Sequence, residues 1–354
     1  MRHVYRGRRA VAIENEAIRV TVLEGGGHIA EILDKATGVN PLWTPAWRSI
    51  EPDEFDHLTH PGYGSGPAES RLLSAIMGHN VCLDIFGGPS AEEEAAGLSA
   101  HGEGSIATYE IEDEATSLVM RADLPIARLK LARQISLHRR GVRIRETVEN
   151  LLGIDRPVGW TQHVTIGPPF LERGVTELRA PATRSKTFET AFGSADYLVP
   201  GAEFDWPMAP AAGGGHADLR RSSAASASSA YTAHLLNPGD AHAYFVAHSP
   251  RHQLAFGYVW NRRDFPWLGI WEENGSRQGS PWHGTGLTRG LEFGVSPFPE
   301  TRRQMIDRNR LFGEATYRWI PALGQVSVEY WAVVRPASLT PESLEWPDGP
   351  SVTA

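Results

Sequence analysis

Between its glycines and prolines the chain runs in short apolar–polar alternations, the two-residue period of half-buried strands. The plainest case is 141–149, where Val142, Ile144, Glu146 and Val148 share one face and Arg143, Arg145 and Thr147 the other. Residues 12–23 read as one strand, with Ile13, Ile18, Val20 and Val22 inward. Further strands are predicted over 117–124, 129–137, 158–166, 230–236, 243–248, 254–260, 268–272, 290–295 and 325–334. Turn signals such as Asn237-Pro-Gly-Asp and His138-Arg-Arg-Gly separate most of them. Helical signals are few. Ser90 is a candidate N-cap for 90–96, with three glutamates where the helix dipole favours them. A second helix is predicted within 299–312. This pattern predicts an all-β fold, a sandwich of large antiparallel sheets with few short helices. No strong linker divides the chain. The Ala/Gly/Ser-rich stretch 209–229 reads as a surface insertion in a single domain over 1–354, whose core spans about 12–335.

Composition narrows the partners. Among 354 residues, 42 acidic against 34 basic side chains leave a net charge of −8. That argues against a nucleic-acid backbone as partner, which would need clustered positive charge. The basic start, 2–9, reads as a solvated tail. Cys82 is the only cysteine, so the chain has no intrachain disulfide and no Cys-based zinc site. No stretch approaches the roughly 20 apolar residues of a membrane helix, and the N-terminus carries no continuous apolar run of the secretory kind. The expectation is a cytoplasmic protein with no membrane partner, monomer or homodimer.

Candidate chemistry concentrates in four places: Gly78-His79-Asn80, His101-Gly102-Glu103-Gly104, Trp160-Thr161-Gln162-His163 and Leu291-Glu292-Phe293-Gly294. Glu292 sits within an apolar strand. On spacing alone it either faces solvent or faces a pocket, where desolvation would raise its pKa toward that of a general base. His163 has the same two readings, structural or catalytic. Facing one pocket, the two would form an acid–base pair that needs no cofactor. Trp267, Trp271 and Trp282 share a polar stretch with Glu272, Glu273, Asn274 and Arg277. Flat rings beside carboxylates and amides suit the apolar faces and hydroxyls of a sugar; the alternative is a packed Ω-loop. No Walker loop, dinucleotide fingerprint or Gly-x-Ser-x-Gly elbow accompanies them.

At these four places the chain resembles the aldose 1-epimerase (galactose mutarotase-like) family, closest to its hexose-6-phosphate mutarotase branch. The segment Glu24-Gly-Gly-Gly-His-Ile-Ala-Glu-Ile-Leu-Asp resembles the family's early strand pair. Asn80-Val-Cys-Leu-Asp-Ile-Phe-Gly-Gly, followed by Gly97-Leu-Ser-Ala-His-Gly, resembles the branch's paired Phe-Gly and His-Gly motifs. Trp160-Thr-Gln-His and Gly290-Leu-Glu-Phe-Gly resemble the strands carrying its catalytic histidine and glutamate. The shared order covers about residues 12–335. The resemblance implies a β-supersandwich and interconversion of the anomers of an aldose. It implies Glu292 as base, His163 as acid and His101 as a ligand of a sugar oxygen. His79, Asn80, Trp271, Glu272 and Trp282 join the expected substrate-binding set, with a monosaccharide or sugar derivative as partner and no metal or cofactor.

The sequence departs from the family pattern at several points. Gln162 stands where many members have Asn, Asp84 replaces a proline, and Ile76-Met-Gly-His-Asn occupies the branch's Arg-Gly-Gly stretch. Glu103 stands where the branch often has Phe. An acidic group beside His101 would favour a hydroxyl-rich over a phosphorylated sugar. Two other classes stay open on the residues alone. One is a non-catalytic carbohydrate-binding or sugar-sensing protein. The other is a metal-dependent isomerase or lyase built on His79, His101, His163 and Glu292.

Overall fold

The computed structural model describes residues 1–347 of the chain. The end of the 1–354 domain span, 348–354, lies outside the described residues. Among the described residues regular structure is almost wholly antiparallel β, with three short α-helices. Two large sheets pack face to face. Five strands of the larger, 12-stranded sheet carry the site: β1 (His79–Asp84), β2 (Arg156–Ile166), β3 (Ser228–Leu236), β4 (Trp267–Asn274) and β5 (Leu287–Gly294). They neighbour one another in the order β1-β2-β5-β4-β3. The eight-stranded sheet includes Leu129–His138, Gly141–Asn150, Leu254–Asn261 and Gln325–Pro336. Alternation explains the core between them. Val142, Ile144 and Val148 of the smaller sheet and Val164, Leu291 and Phe293 of the larger are all buried in one cluster.

Three details differ from the expected elements. Residues 12–23 form a hairpin, Arg8–Glu14 with Ile18–Leu23, rather than one strand. Asn15 ends the first strand because its side-chain oxygen accepts from the backbone N–H of Ala17 and Ile18, the local turn that asparagine favours. A helix, α1 (Pro67–Ala75), follows the Gly-rich turn at 62–66; its proline occupies the first helical turn, where no N–H is needed. The stretch 209–229 is partly built into the fold. Met208–Pro210 pairs with His216–Asp218, and Ala209 and Leu219 are buried. The other two helices fall inside their predicted windows. Ala91–Ala95 starts on the capping box of Ser90 with Glu93, and Arg302–Arg308 on that of Thr301 with Gln304.

Candidate active site

Strand register brings the two principal residues together. His163 on β2 is paired directly with Glu292 on β5, and on its other side with Asn80 on β1. Residues opposite one another in an antiparallel ladder project to the same face. His163 Nε2 lies 3.1 Å from Glu292 Oε1, and its Nδ1 lies 3.1 Å from Thr165 Oγ1. Space for the carboxyl is made by glycine. A Cβ on Gly290 would overlap Glu292 Oε1, and one on Gly269 would overlap the Tyr231 hydroxyl. That hydroxyl donates to the Pro297 carbonyl at 3.2 Å and also interacts with Glu292.

The pair opens into a cavity of about 220 Å³. His163, Glu292, Tyr231 and Trp271 reach it from the strands. One wall is α1 and its cap residue, presenting Glu69, Leu72, Leu73 and Ile76 at positions i, i+3, i+4 and i+7. His101 completes it from a loop hung on β1, with its N–H on Gly87 and its carbonyl accepting from Leu83. The backbone at His101 is left-handed, φ 65°, and this turn sets its ring 4.9 Å from that of His163. A larger hollow of about 550 Å³ lies on the outer face of the smaller sheet. Its charged lining includes Glu110, Arg121, Asp123 and Lys130, exposed side chains remote from the pair.

Burial sets the protonation of the pair. It pushes Glu292 up to about 8 and His163 down to about 4, and holds His101 well below the usual histidine range. Burial thus disfavours the charged form of each partner, which favours a single proton held between Glu292 and His163 Nε2 over a separated ion pair. Two buried polar atoms of the lining, His101 Nδ1 and Trp282 Nε1, have no protein partner. The Arg277 guanidinium lies over Trp271 and Trp282, 5.7 and 5.2 Å from the ring centroids, with Glu273 at 3.5 Å.

The structure brings His163, Glu292, His101, Trp271 and Trp282 to one cavity and sets the other expected residues apart. His79 points between the sheets, bonded to the Tyr258 hydroxyl and to Gln162, each at 2.9 Å. Successive strand residues face opposite ways, so His79 and Asn80 cannot both face the cavity. Asn80 lies beside His163 but is fully buried off the lining, its Nδ2 without a partner. Glu272 faces away from Trp271 and accepts from Ser223, Ser228, Asn274 and Tyr197. Glu103 is likewise structural. It caps the backbone N–H groups of Ile126 and Ala127, which removes the argument from its charge about phosphorylated sugars. The four proposed metal ligands do not assemble, because His79 is on the far face; among the described residues no three His, Cys, Asp or Glu side chains converge as ligands. Trp282 is sandwich-packed on Trp43, with ring centroids 5.7 Å apart and planes 7° apart, so part of the aromatic loop is packing as well as lining. Sequence reasoning missed Tyr231 and the α1 wall. Tyr231 carries no signal within its strand, whereas the i, i+3, i+4, i+7 spacing from Glu69 was available.

A structure of an inferred aldose 1-epimerase from Klebsiella pneumoniae superposes with a TM-score of 0.65 at 13% identity, covering 95% of this chain and 82% of that one. A galactose mutarotase-like protein from Clostridium acetobutylicum gives 0.61 at 10% identity, covering 95% and 98%. An inferred aldose 1-epimerase from Escherichia coli K12 gives 0.59 at 12%, covering 92% and 98%. The fold is galactose mutarotase-like. No protein-family model matches the sequence, and neither does any curated protein. The likeness at these identities is one of architecture. Within the galactose mutarotase-like fold, the His163–Glu292 pair stands on adjacent strands of the larger sheet and looks into the cavity.

Proposed function

We propose that the chain, acting as one domain, is an aldose 1-epimerase-like isomerase that interconverts the anomers of a sugar without metal or cofactor. The observation that carries this reading is the buried His163–Glu292 contact, 3.1 Å, in the lining of a cavity of about 220 Å³. Anomer exchange needs a group that removes the C1 hydroxyl proton and another that protonates the ring oxygen. The ring then opens to the aldehyde, the C1–C2 bond rotates, and the two transfers reverse. A pair holding one proton can serve both ends. With the proton on His163, Glu292 is the base and His163 the acid. Burial favours the proton on Glu292, so the reaction requires that it first cross the 3.1 Å contact to His163. His101 Nδ1 and Trp282 Nε1 supply hydrogen-bonding positions for the sugar. NMR exchange or polarimetry over a panel of aldoses tests the reading. Acceleration is expected for at least one sugar and its loss in Glu292→Gln; no acceleration for any sugar would reject it.

A further inference from the structure

We infer that the preferred substrate is a deoxyaldose, a ring carrying hydrogen or methyl where a common hexose carries hydroxyl or hydroxymethyl; this rests on the anomer-exchange reading of the same cavity. The argument is an inventory of polar partners. A hexopyranose offers O1 and the ring oxygen to His163 and Glu292, and its four remaining hydroxyl groups must each find a partner or lose their hydration unreplaced. The lining supplies the His101 ring, the indole N–H groups of Trp271 and Trp282 and the Arg277 guanidinium. The Tyr231 hydroxyl is already committed to Pro297 O at 3.2 Å. The α1 wall supplies almost nothing. Of its four cavity-facing residues, Leu72, Leu73 and Ile76 are aliphatic. The fourth, Glu69, already accepts at Oε2 from the Ser65 N–H and hydroxyl, both at 2.9 Å. Phe86 and Phe192 extend the apolar surface. A hydroxyl turned toward Leu72, Leu73 and Ile76 has no acceptor, whereas a methyl or a C–H edge fits there; Glu69 Oε1 is the one acceptor this wall offers.

The test uses sugar pairs that differ by a single oxygen: D-fucose with D-galactose, L-rhamnose with L-mannose, and 2-deoxy-D-glucose with D-glucose. Anomer exchange gives kcat/KM, and calorimetry gives Kd on the same protein. In at least one pair the deoxy sugar is expected to be favoured about ten- to a hundredfold, the range an apolar pocket achieves against an added hydroxyl. Ile76→Asn, and separately Leu73→Asn, should narrow that ratio, with circular dichroism reporting that each variant folds. Equal values, or preference for the parent hexose in every pair, would overturn the inference while leaving anomer exchange standing. If no sugar is exchanged, the catalytic reading fails and the calorimetric ratios alone decide the preference; no deoxy preference in binding then overturns it.

Discussion

Strand β2 carries buried polar side chains on both faces, and the two sets are organised differently. Toward the smaller sheet, Gln162 and Trp160 join Glu146, which also pairs with Arg133 and accepts from Tyr330. His79 closes the same group through Gln162 and Tyr258. Each of these side chains has a protein partner, and the cluster ties one sheet to the other. Toward the cavity, among the described residues, His163 and Glu292 have as polar side-chain partners only each other and Thr165 or Tyr231, and His101 and Trp282 carry atoms that nothing satisfies. Both sets are buried and both are polar. What separates structure from chemistry here is whether the hydrogen-bonding capacity is used up internally or left for a ligand.

Substitutions should split the two faces by sign. Glu292→Gln is nearly isosteric and is expected to lower anomer exchange about 10²–10⁴-fold, measured as kcat/KM. Glu146→Gln is expected to destabilise the fold by about 3–5 kcal/mol in denaturant titration, because it leaves the Arg133 charge buried without its partner. On the cavity face the stability effect reverses. Glu292 has a raised folded-state pKa, so the folded chain holds a proton that the unfolded chain has released between about pH 4.5 and 8. Glu292→Gln should therefore gain up to about 4 kcal/mol near pH 8, a gain that vanishes below the ordinary carboxylate pKa.

Buried neutral histidines provide a broader test. His28, His79, His101, His163 and His234 all have lowered folded-state pKa values, through burial first. On acidification below about 6.5 the unfolded chain takes up protons that these groups refuse when folded. Stability should fall from there toward pH 4. His79→Gln should flatten that pH dependence without moving the pH profile of exchange, whereas changes at His163 should alter both. The smallest effect concerns Tyr231. Exchange should decline above about pH 8 as the pair loses its single proton. Tyr231 lowers the pKa of Glu292, so Tyr231→Phe should move that decline upward by less than about one pH unit, read by NMR titration of the carboxyl. The other titratable groups close to Glu292 are His163, His101 and Cys82, which the substitution leaves in place.

The strands were legible because one face of each is apolar and the period is short. The eight-stranded sheet follows 117–124, 129–137 and 141–149 almost residue for residue. Helix α1 was masked by its Gly-rich approach, which reads as a turn, although the spacing of Glu69, Leu72, Leu73 and Ile76 carries a helical period. Its exposed and buried faces separate only once Leu72, Leu73 and Ile76 are seen to face the same cavity. Within the site, strand parity was the unused information. His79 with Asn80, and Trp271 with Glu272, are adjacent pairs, and in each only one member can face the cavity. Which member does so depends on the register with β2 and β5, a long-range property no local window contains. The pairing of His163 with Glu292, separated by more than a hundred positions, is of the same kind and was reached only through the resemblance.

The bare positions at Gly269 and Gly290 carry a consequence for how such a site is lost. Neither glycine is held in a left-handed conformation, so backbone geometry allows alanine at both; the overlaps are with the Glu292 carboxyl and the Tyr231 phenol, with Trp271 Cβ a tight neighbour of Gly290. A single methyl is thus expected to displace Glu292 or Tyr231 while leaving every layer of the architecture intact. Shape-based kinship with this protein is accordingly no guide to activity unless those two vacancies are checked first.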